Sequence, residues 1–213
     1  FREEEGGFLA GALAAMITTR VDLERINDGK KIGIILGDKT PPVERFKRGY
    51  IAGAWYVDPG IEVLCEYTND FFDRAKAAAA AMKLKNAGAD IIFCVNGAAG
   101  IGAIERAKEG GYWTIGVDTE LESEYPEMVL TSVVKRSGHV IYKVIENFVQ
   151  NKLPRDRFSL GLKEDCIDIS TWTRETKRNV PIDIRKRIDE LEEKVSSGLI
   201  KIKETNYQGM SVK

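Results

Sequence analysis

DIIFCVNGAAGIGAIERAKEGGYWTIGVDTE, residues 90–120, is the stretch whose reading decides the fold. An apolar run, Ile91 to Val95, ends in Asn96 and a glycine cluster of Gly97, Gly100 and Gly102. A helix-like segment from Ala103 to Glu109 follows, and a second apolar run, Tyr112 to Val117, stops at Asp118. Strand, glycine turn, helix, strand and acid make one βαβ unit, whose ligand edge is where the strands end. Glycines let a backbone approach a ligand closely, and a helix start offers free N–H donors. An acid at the next strand's tip accepts hydrogen bonds from sugar hydroxyls. The stretch therefore predicts small-molecule binding at that edge.

Working outward, the same alternation continues on both sides. Glu3 to Thr18 reads as a helix with acids in its first turn, which suit the macrodipole, and Gly7, Gly11, Ala14 and Ala15 make a smooth face for close packing. The acids Glu3 to Glu5 themselves read as a solvated helix face. Lys31 to Leu36 and Glu62 to Tyr67 read as strands, and Val43 to Val57 as the helix between them, opened by Pro41-Pro42. A further helix from about Asp73 to Ala87 carries an alanine run and stops at Gly88. Short, nearly all-apolar strands alternating with helices predict a parallel sheet covered on both faces.

After Asp118 the pattern changes. Val129 to Val133 is extended, Arg136 to Gln150 is amphipathic with Val140, Val144 and Phe148 at spacing four, and Phe158 to Ile169 holds two short strand-like pieces. Pro181 to Ser197 is a charged helix with Ile184, Ile188, Leu191 and Val195 on one side, and the polar residues after it read as a frayed tail.

The 43% apolar and 31% charged content is that of a globular chain, and a net charge of −1 excludes the basic footprint of a nucleic-acid surface. Cys65, Cys94 and Cys166 have no metal-like spacing and read as buried thiols; no metal site and no cofactor is expected. His139, the only histidine, reads as an uncoupled helix residue. The run Phe8 to Ile17 is too short to span a bilayer, and the acids ahead of it exclude a signal peptide. With no initiator Met, the chain reads as processed or cut from something longer.

Several motifs together resemble one family. EEEGGFLAGALAA, IGIILGDKTPPVERFKRGYIAGA, NDFFDRAKAAAAAM, NGAAGIGA, TIGVDTE and VLTSVVKR occur in the order found in the basic membrane protein family. These are solute-binding lipoproteins of ABC importers, similar to the bacterial purine nucleoside receptor. The resemblance implies a type I periplasmic-binding-protein fold, a three-layer α/β sandwich in each of two lobes that close over a ligand. It implies a binder and not an enzyme, extracytoplasmic as a membrane-anchored lipoprotein or a periplasmic protein, with an ABC permease as partner. The family has a further stretch before the EEEGG helix, most of its first lobe. Residues 1–119 would then be a complete second lobe, 120–161 a strand and helix returning to the first lobe, and 162–213 a crossover strand and C-terminal helix. The returning piece would have no sheet to join, and a homo-oligomer is expected where the first lobe is missing.

The resemblance also assigns a site. Phe71 matches the aromatic that stacks on a base, although Phe72 beside it reads equally well as the ring that packs. Asn96, Gly97, Gly100 and Gly102 form the loop that contacts ligand, Asp118 takes ribose hydroxyls, and Lys135 lies near the ribose. Read from the residues alone, Asp118 is equally a turn cap and the glycine turn a tight connection. Two other functions compete. A nucleotide-dependent oxidoreductase is suggested by the spacing from Gly97 to Asp118, but the glycines read G-x-x-G-x-G and not G-x-G-x-x-G. A ligand-responsive regulator of the same fold would need a DNA-reading helix pair, which the neutral charge and the opening residues do not supply.

Overall fold

The computed structural model describes residues 1–153, 158–174 and 176–202. The tail at 203–213 and four residues of the presumed return to the first lobe, 154–157, lie outside the described residues. The predicted strands β1 Lys31–Leu36, β2 Glu62–Tyr67 and β3 Ile91–Val95 form as read, and β4, Trp113–Asp118, forms one residue later than its apolar run and takes in Asp118. β5, Val129–Lys135, and β6, Ile167–Ile169, complete one six-stranded sheet in the order β2-β1-β3-β4-β5-β6. All neighbours are parallel except β5 and β6. The chain steps outward from β1 to β2, then returns across β1 to β3. That reversal creates a switch point between β1 and β3, where the loops leaving the strand ends diverge and leave a crevice.

Helices cover both faces. α1 (Glu3–Thr18), α2 (Pro41–Val57) and a late helix, Ile182–Ser196, cover one side, above a core that includes Leu13, Ile34, Tyr50, Phe93 and Ile188. α3 (Arg74–Asn86) and α4 (Gly100–Gly110) cover the other, above Ile35, Ala81, Ile92 and Tyr112. α1 is apolar nearly all round and is buried to match, as a helix without a polar face must be. Its contact with α2 is made through reciprocal glycines. A Cβ on Gly11 would stand 1.9 Å from the Tyr50 carbonyl oxygen, and one on Gly53 1.9 Å from that of Phe8. The two backbones touch because neither helix has a side chain at the crossing.

Three sequence readings change. β5 does have a sheet to join: it lies beside β4, parallel, with Val133 opposite Val117 and Val134 opposite Asp118. Its first five residues are buried, and strand edges this apolar pair where a neighbour is free. The helix after it, α5 (Ser137–Val149), buries no residue; Ile141, Tyr142, Ile145, Phe148 and Val149 are all exposed. Of the two strand-like pieces expected between Phe158 and Ile169, only β6 forms. Lastly, Glu3 to Glu5 are not a solvated face. Glu3 is 2% exposed, and the Glu5 carboxylate accepts a bond from the Leu162 amide at 2.8 Å.

The last short helix pair is α6 (Thr176–Asn179), which the sequence does not announce, and α7, the late helix already described. α7 buries Ile184, Ile188, Leu191 and Val195, the side read from spacing. Cys94 and Cys166 are buried, Cys65 is half-buried and all three are free thiols. Burial pushes the Cys94 thiol up to about 12 and that of Cys65 to about 11, so both stay protonated and unreactive near neutrality. Among the described residues no helix is long and apolar enough to cross a membrane.

Candidate functional site

The carboxyl ends of β1, β3, β4 and β5 share one edge, and a recess of about 180 Å³ opens there. Its lining includes Phe71, Gly97, Asp118 and Lys135, four of the seven predicted site residues, together with Thr40, Pro42 and Phe46. Thr40, Pro42 and Phe46 come from the start of α2, which the sequence reading took only as scaffold. Asp118 and Lys135 also border a second, more open recess that runs on to Ser137 at the start of α5.

Each of these residues is placed by local chemistry. Asp70 accepts the amides of Phe72 (2.8 Å) and Asp73 (2.9 Å), forming a tight turn, and pairs with Lys76 at 3.0 Å. These donors hold the Asp70 carboxyl well below its usual range, at about 2. The turn sends neighbouring rings opposite ways: Phe71 goes inward onto the core and the recess, while Phe72 is 83% exposed. That resolves which phenylalanine packs at the site. Gly37 has no Cβ because the Phe71 ring lies there; a Cβ would come within 2.1 Å of Cε1.

Asp118 ends β4 in the left-handed region, φ 70°, which few residues other than glycine, Asn and Asp adopt. Its side chain is 51% exposed, and its Oδ1 lies 3.8 Å from Lys135 Nζ. Lys135 ends β5 and is 22% exposed. The parallel pairing sets Val134 opposite Asp118, so the two charged residues finish neighbouring strands side by side.

The glycine loop divides its labour differently from the expectation. A 3-10 turn covers Gly97–Ala99, and α4 starts at Gly100, three residues before the predicted helix. Gly97 (φ 58°) lines the recess. The Ala99 amide is not free for a ligand, since it donates to the Phe71 carbonyl at 2.9 Å. Gly100 and Gly102 are buried in α4 and do not line the recess; a Cβ on Gly102 would stand 2.1 Å from the Arg74 carbonyl oxygen. Gly102 thus serves the contact between α3 and α4. Asn96 is fully buried at the end of β3, and among the described residues neither atom of its amide has a hydrogen-bond partner.

Behind the recess lies a group of charges that the sequence reading missed. Glu3 Oε2 accepts from Arg45 Nε at 2.7 Å, and its Oε1 is 3.8 Å from Lys135 Nζ. Three acids in a helix's first turn look like complements to the dipole, and only tertiary packing reveals that one of them faces inward.

A parallel α/β unit with its recess at the switch point belongs to the class of periplasmic solute-binding folds of type I. The solute-binding protein of an ABC transporter system from Aeropyrum pernix K1 has this fold, with a TM-score of 0.81 at 24% identity, over 97% of this chain and 66% of that one. Residues 1–206 match the family Bmp, described as ABC transporter substrate-binding protein PnrA-like, and the chain belongs to that family. Among its relatives, Basic membrane protein B of Borrelia garinii subsp. bavariensis is 38% identical over 80% of this chain and 49% of that protein. Basic membrane protein C of Borreliella burgdorferi B31 is 31% identical over 97% of this chain and 56% of that protein. The chain therefore spans about half the length of the curated relatives it matches.

Proposed function

We propose that this chain forms the second lobe of a two-lobed receptor that captures a purine nucleoside and delivers it to an ABC permease. The observation that carries the reading is the meeting of Phe71, Asp118 and Lys135 on one recess at the switch point. An aromatic ring offers a stacking face for a base. A carboxylate at a strand end accepts two hydroxyls of a ribose, and the neighbouring ammonium donates to the sugar's oxygens. Asn96 is not in the lining of the recess: its amide oxygen faces the start of α4, 2.9 Å from where a Cβ on Gly100 would stand. These groups bind and orient; the reading is of a receptor and not of an enzyme.

The recess is one wall of the cleft. At about 180 Å³ it is smaller than the ~300–1,000 Å³ of ordinary ligand pockets, which enclose most of the ligand's surface. In this reading residues 1–119 and β5 make the lobe, α5 carries its apolar face to the first lobe, and the chain returns at β6. The protein works outside the cytoplasm, anchored by lipid or free in the periplasm. Taken alone, the 213-residue chain covers the α5 face with a second copy of itself.

Calorimetric titration of the intact protein tests the ligand. Inosine should saturate a single site, whereas ribose and hypoxanthine should each bind at least about a hundredfold more weakly, a difference of ~2.7 kcal/mol, since neither engages both ends of the recess. Ribose binding as well as inosine would make the protein a sugar receptor. No binding of inosine would overturn the nucleoside reading.

A further inference from the structure

We infer that Glu3, on α1 and distant in sequence from every residue assigned to the recess, is a positioning residue that holds the Lys135 ammonium where the ligand needs it. The geometry carries this. Lys135 Nζ lies 3.8 Å from Glu3 Oε1 and 3.8 Å from Asp118 Oδ1, between one carboxylate that is 2% exposed and one that is 51% exposed. The Phe1 ring closes a third side, its centroid 4.9 Å from the same nitrogen. A lysine stem is flexible, and beside a single exposed carboxylate its ammonium would fold onto that carboxylate and occupy its acceptor oxygens. A second, buried carboxylate pulls from behind. It leaves Asp118 oxygens open toward the recess and keeps the ammonium aimed at the same space.

Glu3 is fitted for this because it is itself fixed. A buried carboxylate must be paired, and Arg45 meets its other oxygen at 2.7 Å. The helix turn that carries it is fastened to the segment entering β6. The Arg2 amide donates to the Leu160 carbonyl at 2.9 Å, and the Glu5 carboxylate accepts the Leu162 amide at 2.8 Å. The position of the pocket lysine is thereby tied to the segment that leads back from α5. The inference about ligand contact rests on the nucleoside reading; the inference about Lys135 does not.

The test uses the intact protein as Glu3→Gln, Lys135→Met and the double variant, with two readouts. Without ligand, reductive methylation followed by peptide mass spectrometry gives the labelling rate of Lys135 relative to the other lysines. Glu3→Gln should raise it at least about threefold, because the ammonium loses its buried partner. An unchanged rate would overturn the inference, whatever happens to stability. With inosine, Glu3→Gln should weaken binding roughly tenfold, and the double variant should bind no more weakly than Lys135→Met alone, since Glu3 acts through that lysine. Additive losses would show that Glu3 acts elsewhere and would overturn it too. If wild type does not bind inosine, the ligand reading fails and the labelling arm still decides on Glu3. Should Glu3→Gln not fold, Glu3→Asp keeps a charge for Arg45 but shortens the reach to Lys135, and the same two measurements apply.

Discussion

α1 and α5 are both helices with generous apolar content, yet α1 buries thirteen of its sixteen residues and α5 buries none. The difference is not one of propensity. α1 has glycines where another backbone must come close, and it finds α2 at that crossing, the sheet below and α7 alongside. α5 shows Ile141, Tyr142, Ile145, Phe148 and Val149 to solvent and finds nothing in the described chain to set against them. A finished core and an unfinished face thus sit close together, since α1 itself packs against β5 and β6, the strands on either side of α5 in the chain. Exposed apolar stripes of this kind are characteristic of interaction surfaces, and the chain spans about half the length of the curated relatives it matches.

The sharpest way to break the comparison is to deny α1 its close approach. Gly11→Val should destabilise by at least about 3 kcal/mol, at the upper end of overpacking, because the new Cβ meets backbone of Tyr50, which cannot rotate away. Urea unfolding measures it. A loss below about 1 kcal/mol would show that the two helices slide apart freely, and that α1 is no more fixed than α5.

The far end of α1 gives a pH-dependent test. Thr18 Oγ1 donates to both Asp90 oxygens, at 2.7 and 2.9 Å, and the Asn27 amide adds a third bond. Burial outweighs these bonds and raises the Asp90 carboxyl from its ordinary 3.8 to about 6. The folded state therefore binds this proton more tightly than the unfolded state does. Its contribution is most favourable below the unfolded value, falls as pH rises from about 4 to about 6, and is level above that. Two pH units correspond to about 3 kcal/mol. Urea midpoints of wild type minus Asp90→Asn should follow that slope; a difference curve flat across pH 4–7 would mean the carboxylate is solvated and α1 is not locked there.

Much of this was legible. Apolar runs between turn residues give β1, β2 and β3 to the residue and β4 to within one, because inner strands buried on both faces are nearly all apolar and stop at polar residues. Phe71, Asp118 and Lys135 came from family resemblance, and the fold does bring them to one recess. What stayed hidden was whatever depends on a distant partner. Nothing in VLTSVVK says that its neighbour is β4 and not a strand of another lobe, and nothing in EEE says that the first acid faces Arg45 and Lys135. Gly100 and Gly102 resembled a ligand loop because tight helix packing and close ligand approach ask for the same missing Cβ.

At the boundary between the two regions, Asp118→Ala in the intact protein should weaken inosine binding roughly tenfold to a hundredfold, since a hydrogen bond to a charged group contributes ~1.5–3 kcal/mol. The fold should survive at a cost of about 1–2 kcal/mol for alanine in the left-handed region, because the side chain itself is half-exposed at a strand end. 2′,3′-Dideoxyinosine should bind wild type much more weakly than inosine does and should distinguish little between the two proteins. Equal losses for both ligands would reduce Asp118 to a turn residue.

The smallest expected effect is the most direct measure of the difference between the helices. Leu13→Ala on α1 removes a fully buried side chain and should cost about 2–5 kcal/mol. Ile145→Ala on α5 removes one that is 58% exposed, and in the dilute 213-residue chain it should change unfolding by no more than ~0.5 kcal/mol, as surface substitutions do. The same α5 residue should matter wherever the face is covered. In concentrated solutions of the 213-residue chain, light scattering should show association that Ile145→Asp abolishes, because a carboxylate cannot be buried unpaired in an apolar contact. In the intact protein Ile145→Asp should be strongly destabilising for the same reason. A mild effect there, combined with a concentration-independent monomer, would mean that α5 keeps its apolar face in water for some purpose other than docking, and the two-lobed reading would lose its main structural support.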